Sequence, residues 1–184
     1  MQRVLFIGGT GMLQKACSHL IENKFKLTIV GRNENRLQYF KDNYPLAEIQ
    51  LYKVDYTNEN SFLTIIQKDV IENGNYSTVV CWMHSSGTTA LEKLITLLNK
   101  SSTAVKFYHI LGSYDSRKPA DNSILKHIDT KRIDYRKIVL GFVHENGRSR
   151  WLSHQEISEG TTAAIESNSK AFVIGQVEPW HLRP

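Results

Sequence analysis

Three glycines near the start of the sequence, Gly8, Gly9 and Gly11, could form a phosphate-binding turn. They lie between the apolar run VLFI and MLQKACSHLIEN, a segment with apolar residues at helical spacing. Because glycine lacks a Cβ atom, such a turn can be tight or left-handed and can bring a pyrophosphate close to the N–H groups that open the next helix. The helix dipole favours the negative charge. An ordinary tight turn is the alternative interpretation, and the position of the turn in the fold decides between them.

Short apolar, β-branched runs alternate with segments of helical periodicity along the chain. The predicted strands are RVLFIG, KLTIVG, EIQLYKVD, STVVCWM, AVKFYHILG, RKIVLGFV and KAFVIGQV. Continuously apolar strands are typical of parallel sheets with helices on both faces. The pattern predicts an α/β fold of the Rossmann type, with three layers, doubly wound, and a mostly parallel seven-stranded sheet in the order 3-2-1-4-5-6-7. The glycine turn after the first strand then faces the ligand crevice, as in a dinucleotide-binding site.

Capping signals predict where several helices begin and end. Asn33 can cap a helix that ends before Pro45, and Gly74 can end the helix predicted over about residues 58–73. Ser153 and Glu156, in the sequence SHQE, form a predicted capping box. TALEKLITLLNK is the predicted helix after the fourth strand, and DNSILKHID is a short helix candidate.

Composition limits the classes of function. The chain has 184 residues, of which 41% are hydrophobic and 22% are charged. This length and composition predict one domain over residues 1–184. The formal charge of +5 comes without a run of like charges. No nucleic-acid partner is therefore expected, although a slightly basic surface suits a phosphate-bearing ligand. Neither a long apolar stretch nor a signal-peptide pattern is present, so no membrane partner is expected. Cys17 and Cys81 fall within predicted regular elements, which favours the reducing cytoplasm, and no metal-ligand spacing occurs.

Several motifs together resemble the short-chain dehydrogenase/reductase family, and more closely its atypical members. They are FIGGTGML at the first turn, VGRN at the end of the second strand, VDYTN after the third and ILGS at the end of the fifth. The resemblance covers most of the chain. It implies an NAD(P)-binding oxidoreductase, and it leaves open association with a second copy of the chain.

The resemblance assigns the glycine turn to the cofactor. Members of the family commonly have GxxGxxG here, and in this chain the three positions are Gly8, Gly11 and Gln14. The third glycine normally allows close packing of helix and strand and is not needed to hold phosphate, so Gln14 should alter the packing and leave phosphate binding intact. Gly9, Thr10, Met12 and Leu13 are also expected to line the cofactor.

The residues after the second strand favour NADP over NAD. A carboxylate there would accept a hydrogen bond from the adenosine ribose and select NAD, whereas a cation accommodates a 2′-phosphate. The chain has Arg32 and Asn33 at this point and Arg36 one turn later, and arginine can bind a phosphate with two parallel hydrogen bonds. The alternative is that Arg32 is a solvated surface charge. By the resemblance Asp55, with Tyr56, lies near the adenine amino group, and a loop-capping aspartate is the alternative.

The catalytic residues of the family are incomplete in this sequence. Ser113 fits the family's serine after the fifth strand, but the segment about a dozen residues further on, DNSILKHIDTK, has Lys126 and His127 and no tyrosine. Tyr135 and Lys137 are two residues apart at the start of a predicted strand, so they lack the helical spacing of the family's tyrosine and lysine. His84 is a candidate proton shuttle, with packing as the alternative. Met83, His84 and Ser85 are expected to face the cofactor from CWMHSSG, which replaces the family's asparagine-rich motif.

The stretch HENGRSRWLSHQEI has two interpretations. Arg148, Arg150 and Trp151 could close over an anionic or aromatic ligand, or the stretch could be a surface loop in which Trp151 forms a hydrophobic staple before Ser153. The leading hypothesis for the whole chain is an NADP(H)-binding oxidoreductase acting on an unidentified small carbonyl or alcohol substrate. A catalytically silent NAD(P)-binding sensor, as in NmrA-like relatives, is the alternative. An S-adenosylmethionine enzyme is a third, and Arg32 argues against it because an acid usually holds that ribose.

Overall fold

The computed structural model describes residues 2–113 and 123–184, and for Ser123 it describes the backbone only. The described strands are β1 Arg3–Ile7, β2 Lys26–Gly31, β3 Ile49–Lys53, β4 Thr78–Cys81, β5 Val105–Gly112, β6 Ile133–Leu140, β7 Phe142–Glu145, β8 Arg148–Trp151 and β9 Ala171–Ile174. The described helices are α1 Gln14–Glu22, α2 Glu34–Asn43, α3 Glu59–Asn73, α4 Thr88–Leu98, α5 Ser123–Lys126 and α6 His154–Glu166. The first two residues of the predicted helix DNSILKHID lie outside the described residues.

Seven of these strands form one parallel sheet in the order β3-β2-β1-β4-β5-β6-β9. This order confirms the predicted Rossmann fold. The last position of the sheet belongs to β9, because β7 and β8 pair with each other as a separate antiparallel hairpin.

Alternate residues of the strands point to the two helical layers. Val4 and Phe6 of β1 pack in the apolar cluster that contains residues of α1, α2 and α6, whereas Leu5 and Ile7 pack in the cluster with α3 and α4. Since successive side chains of a strand point to opposite faces, each layer receives every second residue. The sheet is therefore covered on both sides, as the continuously apolar runs predict.

Several predicted helix ends are confirmed. The Asn33 side chain accepts a hydrogen bond from the Arg36 N–H group at the start of α2. Ser153 and Glu156 form the predicted capping box at the start of α6. Gly74 follows α3 with φ 88° and ψ 178°. This φ favours glycine, although the ψ is not that of a left-handed helical residue.

The sixth strand and the segment after it differ from the prediction. The strand begins at Ile133 and ends at Leu140, so Tyr135 and Lys137 lie within it and not at its start. At Gly141 the chain leaves the sheet, and an added Cβ atom there would lie 2.2 Å from the carbonyl oxygen of Gln176. The predicted single strand RKIVLGFV was therefore wrong, because this close backbone approach ends β6 and starts the hairpin.

Candidate functional site

A cavity of about 290 Å³ opens at the carboxyl ends of β1, β2 and β4. Its lining residues are Gly8, Thr10, Gly11, Met12, Val30, Gly31, Arg32, Asn33, Arg36, Val54, Tyr56, Trp82, His84 and His154. We call it the first cavity. It brings together most of the residues that the sequence assigns to a cofactor, from segments that are separate in the chain.

The glycine turn forms the floor of the first cavity. Gly8 has a φ of 83°. A Cβ atom on it would lie 3.0 Å from the Trp82 carbonyl oxygen. Both conformation and space therefore favour glycine. Among the described residues, none bonds to the backbone N–H groups of Thr10, Gly11 or Met12. The turn thus presents unpaired donors beside a helix start, which is the arrangement that binds phosphates.

Close packing of α1 depends on Gly9. A Cβ atom at Gly9 would lie 2.8 Å from the Cys17 sulfur, and the Cys17 thiol donates to the Gly9 carbonyl oxygen at 3.6 Å. Gln14, at the family's third glycine position, is partly exposed, while Leu13 is fully buried in the core. Gly9 and Leu13 thus pack in the core next to the turn and do not line the first cavity.

A serine of helix α6, which is distant in the sequence, bonds to the backbone of the glycine turn and of α1. The buried Ser158 hydroxyl donates to the Met12 carbonyl oxygen at 2.7 Å and accepts from the Ala16 N–H group at 3.3 Å. No local signal in the sequence indicates this contact, because the partners are more than 140 residues apart. Ser158 fixes the turn relative to α6.

Two arginines make one wall of the first cavity cationic. Arg36, on the first turn of α2, lies over Gly11, and an added Cβ atom there would be 3.6 Å from its Nη1 atom. No described carboxylate pairs with Arg36. Arg32 is 63% exposed and its Nη1 atom lies 3.6 Å from Asp55 Oδ2. This wall can bind an anionic group. Arg36 is the more available of the two cations, because Arg32 lies near Asp55.

Asp55 has the contacts of a loop-capping residue. Its Oδ1 atom accepts from the Thr57 N–H group and hydroxyl, both at 2.9 Å. These hydrogen bonds, with the nearby Arg32 charge, hold the pKa of Asp55 below its usual range. Asp55 does not line the first cavity, whereas Tyr56 does, and the Tyr56 hydroxyl accepts from the His84 N–H group at 3.3 Å.

The residues after β4 alternate between two environments. Trp82 and His84 line the first cavity, and their rings meet edge to face with centroids 5.5 Å apart. Met83 packs in the apolar layer of α3 and α4, and Ser85 is exposed in the short turn that precedes α4. The sequence prediction named Met83 and omitted Trp82. Strand alternation was the signal that could have found Trp82.

Ser113 lines a different cavity, also of about 290 Å³, at the carboxyl ends of β5 and β6. Its lining residues are Gly112, Ser113, Leu140, Gly141, Trp151, Leu152, Ile157 and Arg183. We call it the second cavity. The structure thus places the two candidate catalytic residues, Ser113 and His84, in separate cavities that adjoin the start of α6, since His154 lines one and Ile157 the other.

The segment predicted as a loop is the β7–β8 hairpin. Asn146 and Gly147 form its turn with φ values of 51° and 72°. An Asn-Gly pair between extended segments is a signal for such a hairpin. Arg150 donates two hydrogen bonds, of 2.8 and 3.0 Å, to the Glu156 carboxylate. Its charge is therefore paired with that of Glu156. Trp151 lines the second cavity and does not form the predicted staple. The staple positions around Ser153 belong to Leu152, which is partly buried against the core, and to the buried Ile157.

Tyr135 and Lys137 do not form a proton-exchanging pair. The Tyr135 hydroxyl lies 2.9 Å from His109 Nδ1, and its ring stacks on Phe107. Burial raises the pKa of Tyr135 well above its usual range. Lys137 is exposed, and Lys126 and His127 are exposed in and after α5. None of these residues lines either cavity.

The comparisons with known proteins bear on the fold. Neither a protein-family model nor a curated protein matches the sequence. Solved structures do match: the citronellol catabolism dehydrogenase AtuB of Pseudomonas aeruginosa PAO1 has a TM-score of 0.69 at 15% identity, covering 95% of this chain and 93% of that one. A short-chain dehydrogenase/reductase from Burkholderia phymatum, in complex with NAD, has a TM-score of 0.69 at 12% identity, covering 98% and 90%.

A third similar structure is the betaketoacyl-[ACP] reductase FabG of Bacteroides thetaiotaomicron, with a TM-score of 0.68 at 11% identity and coverage of 95% and 96%. The chain therefore has the Rossmann fold of short-chain dehydrogenases/reductases over nearly its full length, and the predicted resemblance is confirmed at the level of fold. Within the described residues no helix is long and apolar enough to cross a membrane, and no cluster of His, Cys, Asp and Glu could hold a metal ion.

Proposed function

We propose that the first cavity binds a nicotinamide dinucleotide, NADP(H) in preference to NAD(H), and that the protein is an oxidoreductase acting on a small carbonyl or alcohol substrate. One observation carries the proposal. The unpaired N–H groups of the glycine turn and the guanidinium groups of Arg32 and Arg36 converge on one cavity. A dinucleotide with a 2′-phosphate needs both sets of donors.

The residues of the first cavity fit the parts of such a cofactor. The turn from Gly8 to Met12 would receive the pyrophosphate, because the N–H groups of Thr10, Gly11 and Met12 have no partner among the described residues and the glycines leave room for close approach. Arg36, helped by Arg32, would bind the 2′-phosphate, since guanidinium groups bind phosphate oxygens in pairs. Tyr56 and Trp82 add aromatic surface to the same cavity.

The chemistry of the reaction is divided between cofactor and protein. A bound nicotinamide supplies or accepts the hydride. The Ser113 hydroxyl would donate a hydrogen bond to the carbonyl oxygen and stabilise the negative charge that develops there. The exposed His84 could pass a proton to or from solvent. Cys17 and Cys81 are buried and form no disulfide bond, which suits a reducing compartment such as the cytoplasm.

Calorimetric titration with NADP⁺ and NAD⁺ tests the cofactor part. Arg36→Gln should weaken NADP⁺ binding by about tenfold or more and leave NAD⁺ binding nearly unchanged, because a charge-assisted pair to the extra phosphate is lost. Arg32→Gln should have a smaller effect, since Asp55 already shares its charge. Arg148→Gln, an exposed arginine outside both cavities, is the matched control. Tighter binding of NAD⁺ than NADP⁺, or binding of neither, would refute this part.

Turnover measurements test the enzymatic part. Oxidation of NADPH in the presence of a carbonyl panel should be abolished by Ser113→Ala while NADP⁺ affinity is retained. Unchanged turnover in that variant would remove Ser113 from the mechanism.

A catalytically silent NAD(P)-binding sensor remains the second candidate, and a specific observation favours it. His84 and Ser113 line separate cavities, and the Tyr135 hydroxyl lies within hydrogen-bond distance of His109 and lines neither cavity. Tight NADP⁺ binding together with no hydride transfer on any substrate tried would support the sensor.

A further inference from the structure

The second cavity has the composition of a binding site for a small organic anion. Its walls are apolar, formed by Leu140, Leu152, Ile157 and the Trp151 ring. Among the lining residues that the structure describes, Ser113 and Arg183 are the ones with a hydroxyl or charged side chain. An apolar cavity with a few converging polar groups is the usual form of a small-molecule site.

Arg183 is positioned by two aromatic rings. Its guanidinium carbon lies 5.1 Å from the centroid of the Trp151 ring and 4.7 Å from that of Trp180. Stacking on rings holds a guanidinium group while leaving its edge N–H groups available for an acceptor. Within the described part of the chain Arg183 pairs with no carboxylate, unlike the neighbouring Arg150. Its charge is thus available at the cavity.

We propose that the second cavity binds a small apolar oxo acid, with Arg183 holding its carboxylate and Ser113 facing its carbonyl oxygen. The assignment rests on the proposed function, because it gives the substrate class for the same oxidoreductase. Reduction of such a substrate adds a hydride from NADPH to the carbonyl carbon and a proton from solvent to its oxygen, which yields the hydroxy acid and NADP⁺.

Charge and size select this class. A single guanidinium group neutralises a monoanion, and its parallel N–H groups match the two coplanar oxygens of a carboxylate. A phosphate dianion would keep uncompensated charge and an unbonded oxygen at the same site. The volume of about 290 Å³ limits the part of a ligand that these walls can enclose to a small group. The aliphatic wall suits a short branched or aromatic tail. Ser113 is only 4% exposed, so a group that contacts its hydroxyl lies at the inner end of the cavity.

Calorimetric titration with 4-methyl-2-oxopentanoate, with and without NADP⁺, tests the proposal. We expect saturable binding of this compound. The ketone 4-methyl-2-pentanone, which lacks the carboxylate, should bind at least about tenfold more weakly because the charge-assisted pair is absent. Pyruvate should also bind more weakly because it lacks the apolar tail. Equal binding of the ketone, or tighter binding of the phosphate ester isopentyl phosphate, would overturn the assignment.

Variants locate the binding groups. Arg183→Gln should weaken the oxo acid at least about tenfold, since a hydrogen-bonded ion pair is lost, and should leave the ketone unaffected. Arg148→Gln on the same hairpin as Trp151 is the control. Arg183→Lys, which keeps the charge, should recover part of the affinity and guards against a folding effect of the first variant. Ser113→Ala should weaken 4-methyl-2-oxopentanoate more than 4-methylpentanoate, which has no carbonyl at that position. Equal losses for both acids would exclude Ser113 from carbonyl recognition.

Tryptophan fluorescence separates the two cavities. The chain has three tryptophans, Trp82 in the first cavity and Trp151 and Trp180 around Arg183. In Trp82→Phe, the oxo acid should still change the fluorescence, whereas the response to NADP⁺ should be largely lost. If the oxo acid binds with the expected pattern but NADP⁺ does not, the proposed function fails and the anion site stands. If NADP⁺ binds and the oxo acid does not, only the substrate assignment fails.

Discussion

The sulfur atom of Cys17 occupies the space that a side chain at Gly9 would need. The distance from an added Cβ atom to that sulfur would be 2.8 Å, and the next contacts, at 3.0 and 3.2 Å, are with Phe6 and Ile29. Gly9 therefore performs the packing role that the family assigns to the third glycine of its motif, where this chain has Gln14. A glycine thus still allows the helix and the strand to pack closely, but it lies at position 9 and not at position 14.

Gly9→Ala should destabilise the protein through this contact. Overpacking of a tight core typically costs about 1–3 kcal/mol. Chemical denaturation of Gly9→Ala, Cys17→Ala and the double variant measures the coupling. Removing the sulfur makes room for the new methyl group, so the double variant should be more stable than the sum of the single effects by roughly 1 kcal/mol. Strict additivity would show that Cys17 is not the residue that excludes a side chain at Gly9.

The fold could be predicted from the sequence because its signals are local and repeated. The runs that became β1 and β2 are mostly apolar and β-branched, and each is followed by a segment with one apolar helical stripe. Such a pattern has few topologies that bury every strand on both faces. The hairpin was missed although Asn146 and Gly147 signalled it, since the flanking residues of β8 are mostly polar and exposed.

The site was predictable only where its residues follow a strand directly. Arg32 and Arg36 follow β2 and line the first cavity as the sequence suggested. Ser158 and Arg183 carry no motif, and each acts from a distant part of the chain: Ser158 bonds to the backbone at the glycine turn, and Arg183 lines the second cavity. Neither residue could therefore be predicted. The sequence predicts Met83 at the cofactor, but side chains alternate along the strand, so Met83 packs toward α3 and α4 while Trp82 lines the first cavity.

Asp69 should be the charged residue on which stability depends most. It is fully buried and accepts hydrogen bonds from Arg3, Tyr76, Thr28 at 2.9 Å and Tyr52 at 3.1 Å. Asp69→Asn leaves the buried Arg3 without its counter-ion, which should cost about 3–5 kcal/mol. Denaturant unfolding measures the loss, and Asp42→Asn on the surface of α2 is the control. A much smaller loss, below about 1 kcal/mol, would mean that Arg3 finds another partner or solvent.

The acid sensitivity of stability should also depend on Asp69. Burial disfavours its charge, but hydrogen bonds from Tyr76 and Thr28 and the Arg3 charge outweigh burial and lower its pKa. A folded pKa below the unfolded value of about 3.9 means that the contribution is present above that pH and is lost as pH falls further. The free energy of unfolding should therefore fall below about pH 4 in the parent chain. Asp69→Asn should show a flatter profile there.

Glu156 gives a second, separable contribution in the same acid range. Hydrogen bonds from Arg150 and from the Ser153 N–H group and hydroxyl lower its pKa to about 2. Its stabilising effect is complete above the unfolded value of about 4.3 and is lost as pH falls toward about 2. At neutral pH, Glu156→Gln should cost about 0.5–2 kcal/mol, as for other helix caps. Thermal unfolding across the acid and neutral range checks both effects, with the exposed Glu159→Gln as control. Identical pH profiles for parent and variant would contradict the assignment.

Ser158 should couple the stability of α6 to binding in the first cavity. Ser158→Ala removes the hydroxyl that bonds to the Met12 carbonyl oxygen and the Ala16 N–H group, and both backbone groups then lose this partner. The expected cost is about 1–3 kcal/mol in stability. Because the same bonds fix the glycine turn, NADP⁺ affinity should fall as well, whereas oxo acid binding in the second cavity should change little. Ser167→Ala, at the end of α6, removes a hydroxyl that bonds to the Ala163 carbonyl oxygen at 2.7 Å and touches neither cavity, so it serves as the control. Calorimetry and unfolding on the two variants decide the matter: a loss of stability with unchanged NADP⁺ affinity would show that the turn keeps its shape without α6.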